Sequence, residues 1–357
     1  MRIGTVEYSR SELEKRVGNV AQLGGTSHYV LSDGRSKGVR AIDVNTGGGF
    51  RFTVLPDRGL DISTASYNDI NLVFLTPNGE VNPVFYESRG SEWIRTFFGG
   101  MLTTCGLTTL GAPGRDGDEE LGLHGRYSNT PASRVRDLSR WEGDNYLIEI
   151  QGIVEECSVF GPKLRLTRTI TSAIGEKSLV VEDVVQNFGF TASPFTILYH
   201  INPGFPLLDE GTYLRLTSKE VDPYDKESEN HLDSHLRFTA PQTGFLEQNF
   251  FHIMIGDEAD FAHVGLINKK LDLGLYLKIK SDTLPYVSEW KMLGEGDYVV
   301  GLEPCNTRCL NRQILRDRDL LPILKPQETR RMRVEIGVLS TEKEIADFET
   351  KINTIMS

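Results

Sequence analysis

Apolar and polar residues alternate along much of the chain, and this two-residue period limits the possible folds more than any other sequence feature. Between Met332 and Val338 every second residue is apolar, with Arg333 and Glu335 in the intervening positions. The segment Leu164–Thr171 has the same period. Successive side chains of a strand point to opposite faces, so this pattern is typical of half-buried strands.

Two further segments are continuous rather than alternating. Ser178–Val185 and Phe195–Tyr199 are rich in β-branched or aromatic residues, which predicts strands buried on both faces. The 35 glycines and 15 prolines fall between such short segments. The pattern therefore predicts an all-β chain, folded as one large antiparallel β-sandwich in a single domain over residues 1–357.

Helical signals lie only near the two ends of the chain. Ser9 and Glu12 have the spacing of a capping box, and Thr341 and Glu344 repeat it. We therefore expect short terminal helices and no helix that alternates with strands. The polar stretch Asp222–His231 is the strongest candidate for a loop.

Composition excludes several kinds of partner. The chain has 39 Lys and Arg against 50 Asp and Glu, a formal net charge of −11. Without a basic stripe, neither nucleic acid nor an anionic membrane surface is an expected partner. No apolar run approaches the length of a membrane-spanning helix, so we expect a cytoplasmic protein whose four cysteines are reduced thiols. Homo-oligomerisation stays open.

Three polar residues have neighbours suited to acid–base chemistry. His124 lies between glycines in Gly122–Arg126, His200 ends the apolar segment Phe195–Tyr199, and Glu303 precedes a proline at another strand end. Such strand ends can converge on one cleft and supply a general acid and a general base. Each residue taken singly is also explained by an ordinary structural role.

Arginines provide candidate sugar contacts. Arg58 lies at a predicted tight turn, Arg95 in the aromatic segment Trp93–Gly100, and Arg126 next to the His124 motif. A forked guanidinium can hold sugar hydroxyls, although buried structural ion pairs explain Arg58 and Arg95 equally well.

A pair of histidines raises the question of a metal. His231 and His235 have the i, i+4 spacing of zinc ligands on a helix. The intervening residues lack the glutamate of a metalloprotease helix, and the segment is predicted to be a loop. We therefore expect no metal and no other cofactor.

Several ordered motifs together resemble the galactose mutarotase (aldose 1-epimerase) superfamily. The match runs from about Gly24 to Leu339 and is closer to an uncharacterised branch of that superfamily. The matching segments are GLHGR around His124, LYHINPG around His200, GLEPCN around Glu303, VDPYD at Val221–Asp225, SDTLPYVSEW at Ser281–Trp290, PDRGLDI at Pro56–Ile62 and FFGGMLTTCGL at Phe97–Leu107.

This resemblance implies a β-supersandwich with a sugar-binding cleft, with Glu303 as base, His200 as general acid and His124 as a further catalytic residue. Asn202 and Trp290 are predicted to contact the sugar as well. The family's asparagine–arginine pair before the His-Gly motif is absent, and Thr103–Gly106 stands nearby. Its sugar-clamping aspartate has no clear counterpart, so the substrate stays open.

We therefore predict an aldose 1-epimerase-like isomerase that interconverts the anomers of a sugar. Two alternatives remain. One is a non-catalytic carbohydrate-binding protein, and the other is a sugar epimerase or isomerase that acts at a C–H bond.

Overall fold

The computed structural model describes residues 1–4 and 6–357 of the chain. Antiparallel strands dominate this part of the protein, as the alternating pattern predicts. In chain order the strands are β1 Arg2–Ile3, β2 Val6–Glu7, β3 Gly25–Val30, β4 Arg40–Asn45, β5 Phe50–Leu55, β6 Asp61–Tyr67, β7 Ile70–Asn71, β8 Thr103–Leu107, β9 Gly114–Asp116, β10 Glu119–Leu121, β11 Ser133–Asp137, β12 Arg140–Glu142, β13 Asn145–Cys157, β14 Lys163–Ala173, β15 Ser178–Asn187, β16 Ser193–Pro194, β17 Thr196–His200, β18 Tyr213–Leu216, β19 Ser218–Pro223, β20 Gln248–Met254, β21 Phe261–Asn268, β22 Leu273–Lys280, β23 Tyr286–Leu293, β24 Tyr298–Cys305, β25 Ile323–Leu324 and β26 Thr329–Leu339.

Three sheets build most of the fold. A nine-stranded sheet has the order β11-β13-β14-β15-β26-β22-β21-β18, with β12 also paired to β13. A six-stranded sheet has the order β19-β20-β23-β24-β17-β8, and a five-stranded sheet runs β3-β4-β5-β6-β7. One hydrophobic cluster contains side chains from all three sheets, so the sheets pack around a shared core.

Burial along the strands follows the predicted period in most places. Met332, Val334, Ile336 and Val338 of β26 are all buried. Strand β17 is buried at every position, as expected from its continuous apolar sequence. The prediction for Ser178–Val185 is wrong, because β15 alternates between buried and partly exposed residues. Its outer face carries valines, and the hydropathy pattern alone therefore hid the alternation.

The helices are α1 Arg10–Glu14, α2 Lys226–Asn230, α3 Arg312–Asp317 and α4 Glu342–Met356. A capping box forms at Ser9, and Thr341 caps α4, which confirms both terminal predictions. The expected loop at 222–231 instead contains β19 residues and α2, whose N-cap is Asp225. No helix among the described residues is long and apolar enough to cross a membrane.

Short 3-10 helices join several strands. They span Val20–Gln22, Gly34–Ser36, Pro56–Arg58, Pro83–Phe85, Glu92–Arg95, Tyr127–Asn129 and Leu232–Ser234.

A buried ionic cluster ties the nine-stranded sheet to the strand that carries His200. Arg168 of β14 pairs with Asp183 at 2.7 Å and with Asp61 at 2.9 Å, and all three side chains are fully buried. Tyr199 of β17 donates to Asp183 at 2.8 Å. Thr104 of β8 donates to Asp61 through its backbone and its hydroxyl group. The cluster therefore fixes β17 and β8 against the opposite sheet.

Candidate active site

The outer face of the six-stranded sheet forms the floor of a cavity of about 610 Å³. Residues of alternating position point into it from three neighbouring strands: His200 from β17, Glu303 from β24 and Trp290 from β23. The residues next to these along each strand, such as Tyr199 and Leu302, point to the shared core. The two-residue period therefore brings distant parts of the sequence to one face.

Glu303 and His200 contact each other directly. Oε1 of Glu303 lies 3.0 Å from Nε2 of His200, and the two residues are only 2% and 4% exposed. Gly301 makes room for this contact, because a Cβ atom there would collide with Oε1 of Glu303 and approach Cε1 of His200 to 3.2 Å. The sequence Gly-Leu-Glu-Pro thus provides both the carboxyl group and the space beside it.

Burial sets the protonation of this pair. Desolvation raises the pKa of Glu303 to about 8, against a weaker lowering effect from the Ser288 hydroxyl. Desolvation lowers the pKa of His200 to about 3, and nearby His124 acts in the same direction. At neutral pH the pair therefore carries one proton on Glu303 and no net charge. A single transfer across the 3.0 Å contact gives the carboxylate and the imidazolium.

His124 lines the same cavity from a strained loop. Its φ of 58° lies in the left-handed region, and its backbone N–H donates to Gly111 while its carbonyl accepts from Gly106. A Cβ atom on the next residue, Gly125, would lie 2.5 Å from the Gly106 carbonyl oxygen. The backbone therefore requires the glycine of the His-Gly motif. Burial lowers the pKa of His124 to about 4, so its ring is neutral.

Aromatic rings surround the two histidines. Trp93 lies 4.7 Å from the His124 ring, and Phe97 and Trp290 lie 5.2 and 5.4 Å from the His200 ring, measured between centroids. These rings exclude water from the pair and offer flat apolar surfaces, which suit the C–H faces of a sugar.

The mouth of the cavity is acidic. Glu247 and Asp297 line it and are exposed, and Glu247 accepts a hydrogen bond of 3.0 Å from the Trp290 indole. Among the described residues that line the cavity there is no lysine or arginine. The site therefore repels anions and offers acceptors for hydroxyl groups.

Arg58 lies elsewhere, contrary to its predicted contact with a sugar. Its side chain is fully buried, and its guanidinium donates to the carbonyl oxygens of Ser128, Val81 and Thr96 at 2.6, 2.8 and 2.9 Å. The structure assigns this arginine to joining three loops, because its donors are already used inside the protein.

Of the other four predicted contacts, three lie outside the cavity lining and one lies within it. Arg95 pairs with Glu92 at 2.8 Å on the surface, and the exposed Arg126 also lies outside the cavity lining. Asn202 is fully buried behind the cavity floor and donates to the His200 carbonyl oxygen at 2.8 Å, so it supports the end of β17. Trp290 lines the cavity, and its contact with a sugar stays a prediction.

Several lining residues escaped the sequence analysis. Trp93 and Phe97 lie in the same aromatic segment as Arg95, and Tyr224 belongs to the VDPYD motif. A preference for aromatic residues near sugars could have selected them. Glu247 and Asp297 lie in loops without a pattern, and no sequence signal marks them.

The protein is thus an antiparallel β-sandwich that holds a buried carboxyl–imidazole pair on one of its sheets. The sequence profile of the family described as "Domain of unknown function (DUF4432)" matches residues 36–338. The chain belongs to this family. No curated protein matches the sequence.

Solved structures share the fold. A candidate aldose 1-epimerase from Klebsiella pneumoniae has a TM-score of 0.91 and 24% identity, over 97% of this chain and 94% of that one. A galactose mutarotase-like protein from Clostridium acetobutylicum has a TM-score of 0.63 and 12% identity, over 90% and 100%. Galactose 1-epimerase from Lactobacillus acidophilus has a TM-score of 0.58 and 13% identity, over 89% of this chain and 100% of that one. The fold is therefore galactose mutarotase-like.

Proposed function

We propose that this protein is an aldose 1-epimerase-like enzyme that interconverts the α and β anomers of a sugar. The observation that carries the proposal is the direct contact of 3.0 Å between Glu303 and His200 at the cavity floor. A hemiacetal bears its hydroxyl and ring oxygens on the same carbon. An acid and a base held side by side can therefore act on both oxygens at once.

The reactive form is the tautomer in which His200 holds the proton. Glu303 takes the proton of the anomeric hydroxyl, and a carbonyl forms at C1. The electron pair of the bond between C1 and the ring oxygen moves to that oxygen, which takes the proton from Nε2 of His200. The step leaves Glu303 protonated and His200 neutral, which is the form that burial favours.

Rotation about the C1–C2 bond then presents the other face of the carbonyl, and the reverse transfers close the ring as the opposite anomer. His124 hydrogen-bonds the ring or C1 oxygen and stabilises the charge that develops there. Its fixed loop and neutral ring suit this role. No electrons or groups are transferred, so the reaction balances without a cofactor.

The cavity also favours one substrate class. Its acidic mouth and the lack of lysine and arginine in its described lining disfavour a phosphate or carboxylate group. Trp93 and Phe97 are stacked with their centroids 4.7 Å apart, and Trp290 meets Phe97 edge-on. These aromatic surfaces favour a ring with apolar C–H faces. We infer that the substrate is a neutral, unphosphorylated aldose.

The test has two stages. Thermal-shift screening of neutral aldoses, uronic acids and sugar phosphates identifies the ligand, because a molecule that binds the folded state stabilises it. Anomeric exchange of that ligand is then followed by NMR in heavy water. We expect faster exchange between the α and β signals and no deuterium at carbon, since mutarotation breaks no C–H bond.

The other outcomes identify the alternatives. Deuterium at C2 or another carbon would indicate an epimerase or isomerase that abstracts a proton from carbon. Binding without faster exchange would indicate a carbohydrate-binding protein. Preferential binding of a sugar phosphate would contradict the inferred substrate class while leaving the acid–base chemistry open to measurement.

A further inference from the structure

A second cluster of chemically active side chains lies on the opposite face of the same six-stranded sheet. His252 of β20 and Glu289 of β23 point to the core side, and His235 reaches them from the segment after the 3-10 helix Leu232–Ser234. Their exposures are 1%, 1% and 7%. Nothing in the proposed sugar chemistry uses these three residues.

Both histidines converge on one carboxylate oxygen. Nδ1 of His235 lies 2.8 Å from Oε2 of Glu289, and Nε2 of His252 lies 3.2 Å from the same atom. The second oxygen, Oε1, is buried and has no hydrogen-bond partner among the described residues. A buried carboxylate oxygen without a partner is costly, so Oε1 is suited to bind a further group.

The hydrogen bonds around His252 indicate that a cation belongs between its Nε2 and Oε2 of Glu289. Ser218 uses its own proton to donate to the Glu220 carbonyl oxygen, so its Oγ accepts from Nδ1 of His252 at 3.0 Å. A neutral His252 then presents the lone pair of Nε2 to the anionic Oε2 of Glu289. Two lone pairs at 3.2 Å require a positive charge between them, either a proton or a metal ion.

The surroundings resemble those of a metal site that keeps an open position. The three candidate ligand atoms all lie within 4.8 Å of one another. A cavity of about 420 Å³ is lined by His235 and His252 together with residues of β18, β19 and α4, and it provides space for water or another ligand. Three protein ligands with one open position are typical of reactive zinc sites.

Neighbouring groups hold the ligands in place. Lys291 donates to the carbonyl oxygens of Ser234, His235 and Arg237 at 3.2, 3.3 and 2.7 Å, which fixes the segment carrying His235. Ser218 orients His252 with Nε2 toward the carboxylate. Outer partners of this kind commonly fix the orientation of metal-binding histidines.

We propose that His235, His252 and Glu289 bind a divalent transition-metal ion, with zinc as the best match to two imidazoles and one carboxylate. The expected site is separate from the cavity that holds Glu303. It requires only modest separation of the ligand atoms, because two of the distances are already 2.8 and 3.2 Å.

The test uses the full chain after treatment with a chelator. Titration with Zn²⁺ followed by calorimetry should give one bound ion per chain, and Co²⁺ should give the visible absorption bands of a tetrahedral site without thiolate charge-transfer bands. All proteins carry Cys157→Ser, since this thiol is exposed and could bind zinc adventitiously.

Matched variants locate the ion. Glu289→Gln and His235→Asn should each weaken Zn²⁺ binding by at least about 100-fold. His231→Asn should leave it unchanged, because His231 is exposed and contacts Glu227 at 3.2 Å. Circular dichroism shows whether each variant is folded. The proposal would be overturned if the protein with all three ligands intact bound neither Zn²⁺ nor Co²⁺. Undiminished binding in folded Glu289→Gln or His235→Asn would also overturn it.

Discussion

Glu303 and Glu289 lie on adjacent strands, β24 and β23, and are buried to nearly the same extent, yet their acidities move in opposite directions. Burial raises the pKa of Glu303 to about 8. Burial also acts to raise the pKa of Glu289, but the imidazoles of His235 and His252 beside its Oε2 outweigh that effect and lower the pKa. Burial alone therefore does not determine the protonation of a carboxyl group in this protein.

The difference comes from the partners. His200 is neutral because desolvation and His124 lower its pKa, so it offers Glu303 no positive charge. Glu289 has two imidazoles directed at one oxygen. One face of the sheet thus holds a proton ready for transfer, whereas the other holds a carboxylate on which two imidazoles converge.

The largest expected effect comes from Glu303→Gln, because an amide cannot take a proton from a hydroxyl group. We expect anomeric exchange of the identified sugar to slow by about 10²–10⁴. Polarimetry or NMR measures the rate. Glu92→Gln, which removes an exposed carboxylate outside the cavity lining, serves as the charge-matched control. An unchanged rate in folded Glu303→Gln would refute the acid–base role.

Glu289→Gln should have its main effect on stability. Loss of the anion leaves two buried imidazoles without their charged partner, and we expect unfolding to require about 3 kcal/mol less at pH 7. Urea denaturation of Glu289→Gln and Glu303→Gln compares the two carboxyl groups directly. Equal losses of unfolding free energy in the two variants would contradict the inference that the two carboxyl groups differ in their partners.

The pH dependence of stability should reveal the Glu303–His200 pair. Between pH 6.5 and about 8 the folded pair keeps a proton on Glu303 that the unfolded chain has lost, since the ordinary values are 4.5 for Glu and 6.5 for His. Folded stability contributed by the pair therefore falls as pH rises through this window, by up to about 2 kcal/mol.

Glu303→Gln should lack this fall in a series of urea unfolding curves, because the amide carries no titrating proton. At lower pH the two groups oppose each other. Between about 4.5 and 6.5 the folded and unfolded forms of the pair bind the same number of protons, so it contributes little slope there. A wild-type curve that rises from pH 6.5 to 8 relative to the variant would be inconsistent with a raised Glu303 pKa.

Ser288→Ala should give the smallest change. The Ser288 hydroxyl lowers the pKa of Glu303, and its removal should raise that pKa further. The rate is expected to fall above about pH 8, where the pair loses its proton. In Ser288→Ala this fall should move upward by about half a pH unit, the equivalent of one weak hydrogen bond. A shift toward lower pH would contradict the assignment of Glu303.

Local patterns were sufficient for much of the fold. Alternation predicts β14 and β26, and capping boxes predict α1 and α4, because these features depend on neighbouring residues. The internal helices α2 and α3 have five and six residues, too few for a helical period to be visible in the sequence.

The candidate site was predictable only in part. His124, His200, Glu303 and Trp290 belong to recognisable motifs, and all four line one cavity. Arg58 shows the limit of this reasoning, since a buried guanidinium that binds three carbonyl groups and one that binds a sugar look alike in sequence. Long-range contacts decide between them.

The histidine pair of HLDSH shows the same limit. His231 and His235 have the spacing of joint ligands, but the missing glutamate and the predicted loop led us to expect no metal there. In the structure the chain turns between the two histidines. His231 ends at the surface and His235 enters the core. The neighbours of His235 are His252 and Glu289, which lie far along the chain.

The buried cluster of Arg168, Asp61 and Asp183 also limits how the sequence can diverge. A neutral residue at position 168 would leave two buried carboxyl groups facing each other, and loss of either aspartate would remove part of the charge that balances the arginine. Each single replacement therefore passes through a poorly stable intermediate. Among descendants of this sequence we expect the three positions to be inherited together, or exchanged together for an apolar set of similar volume.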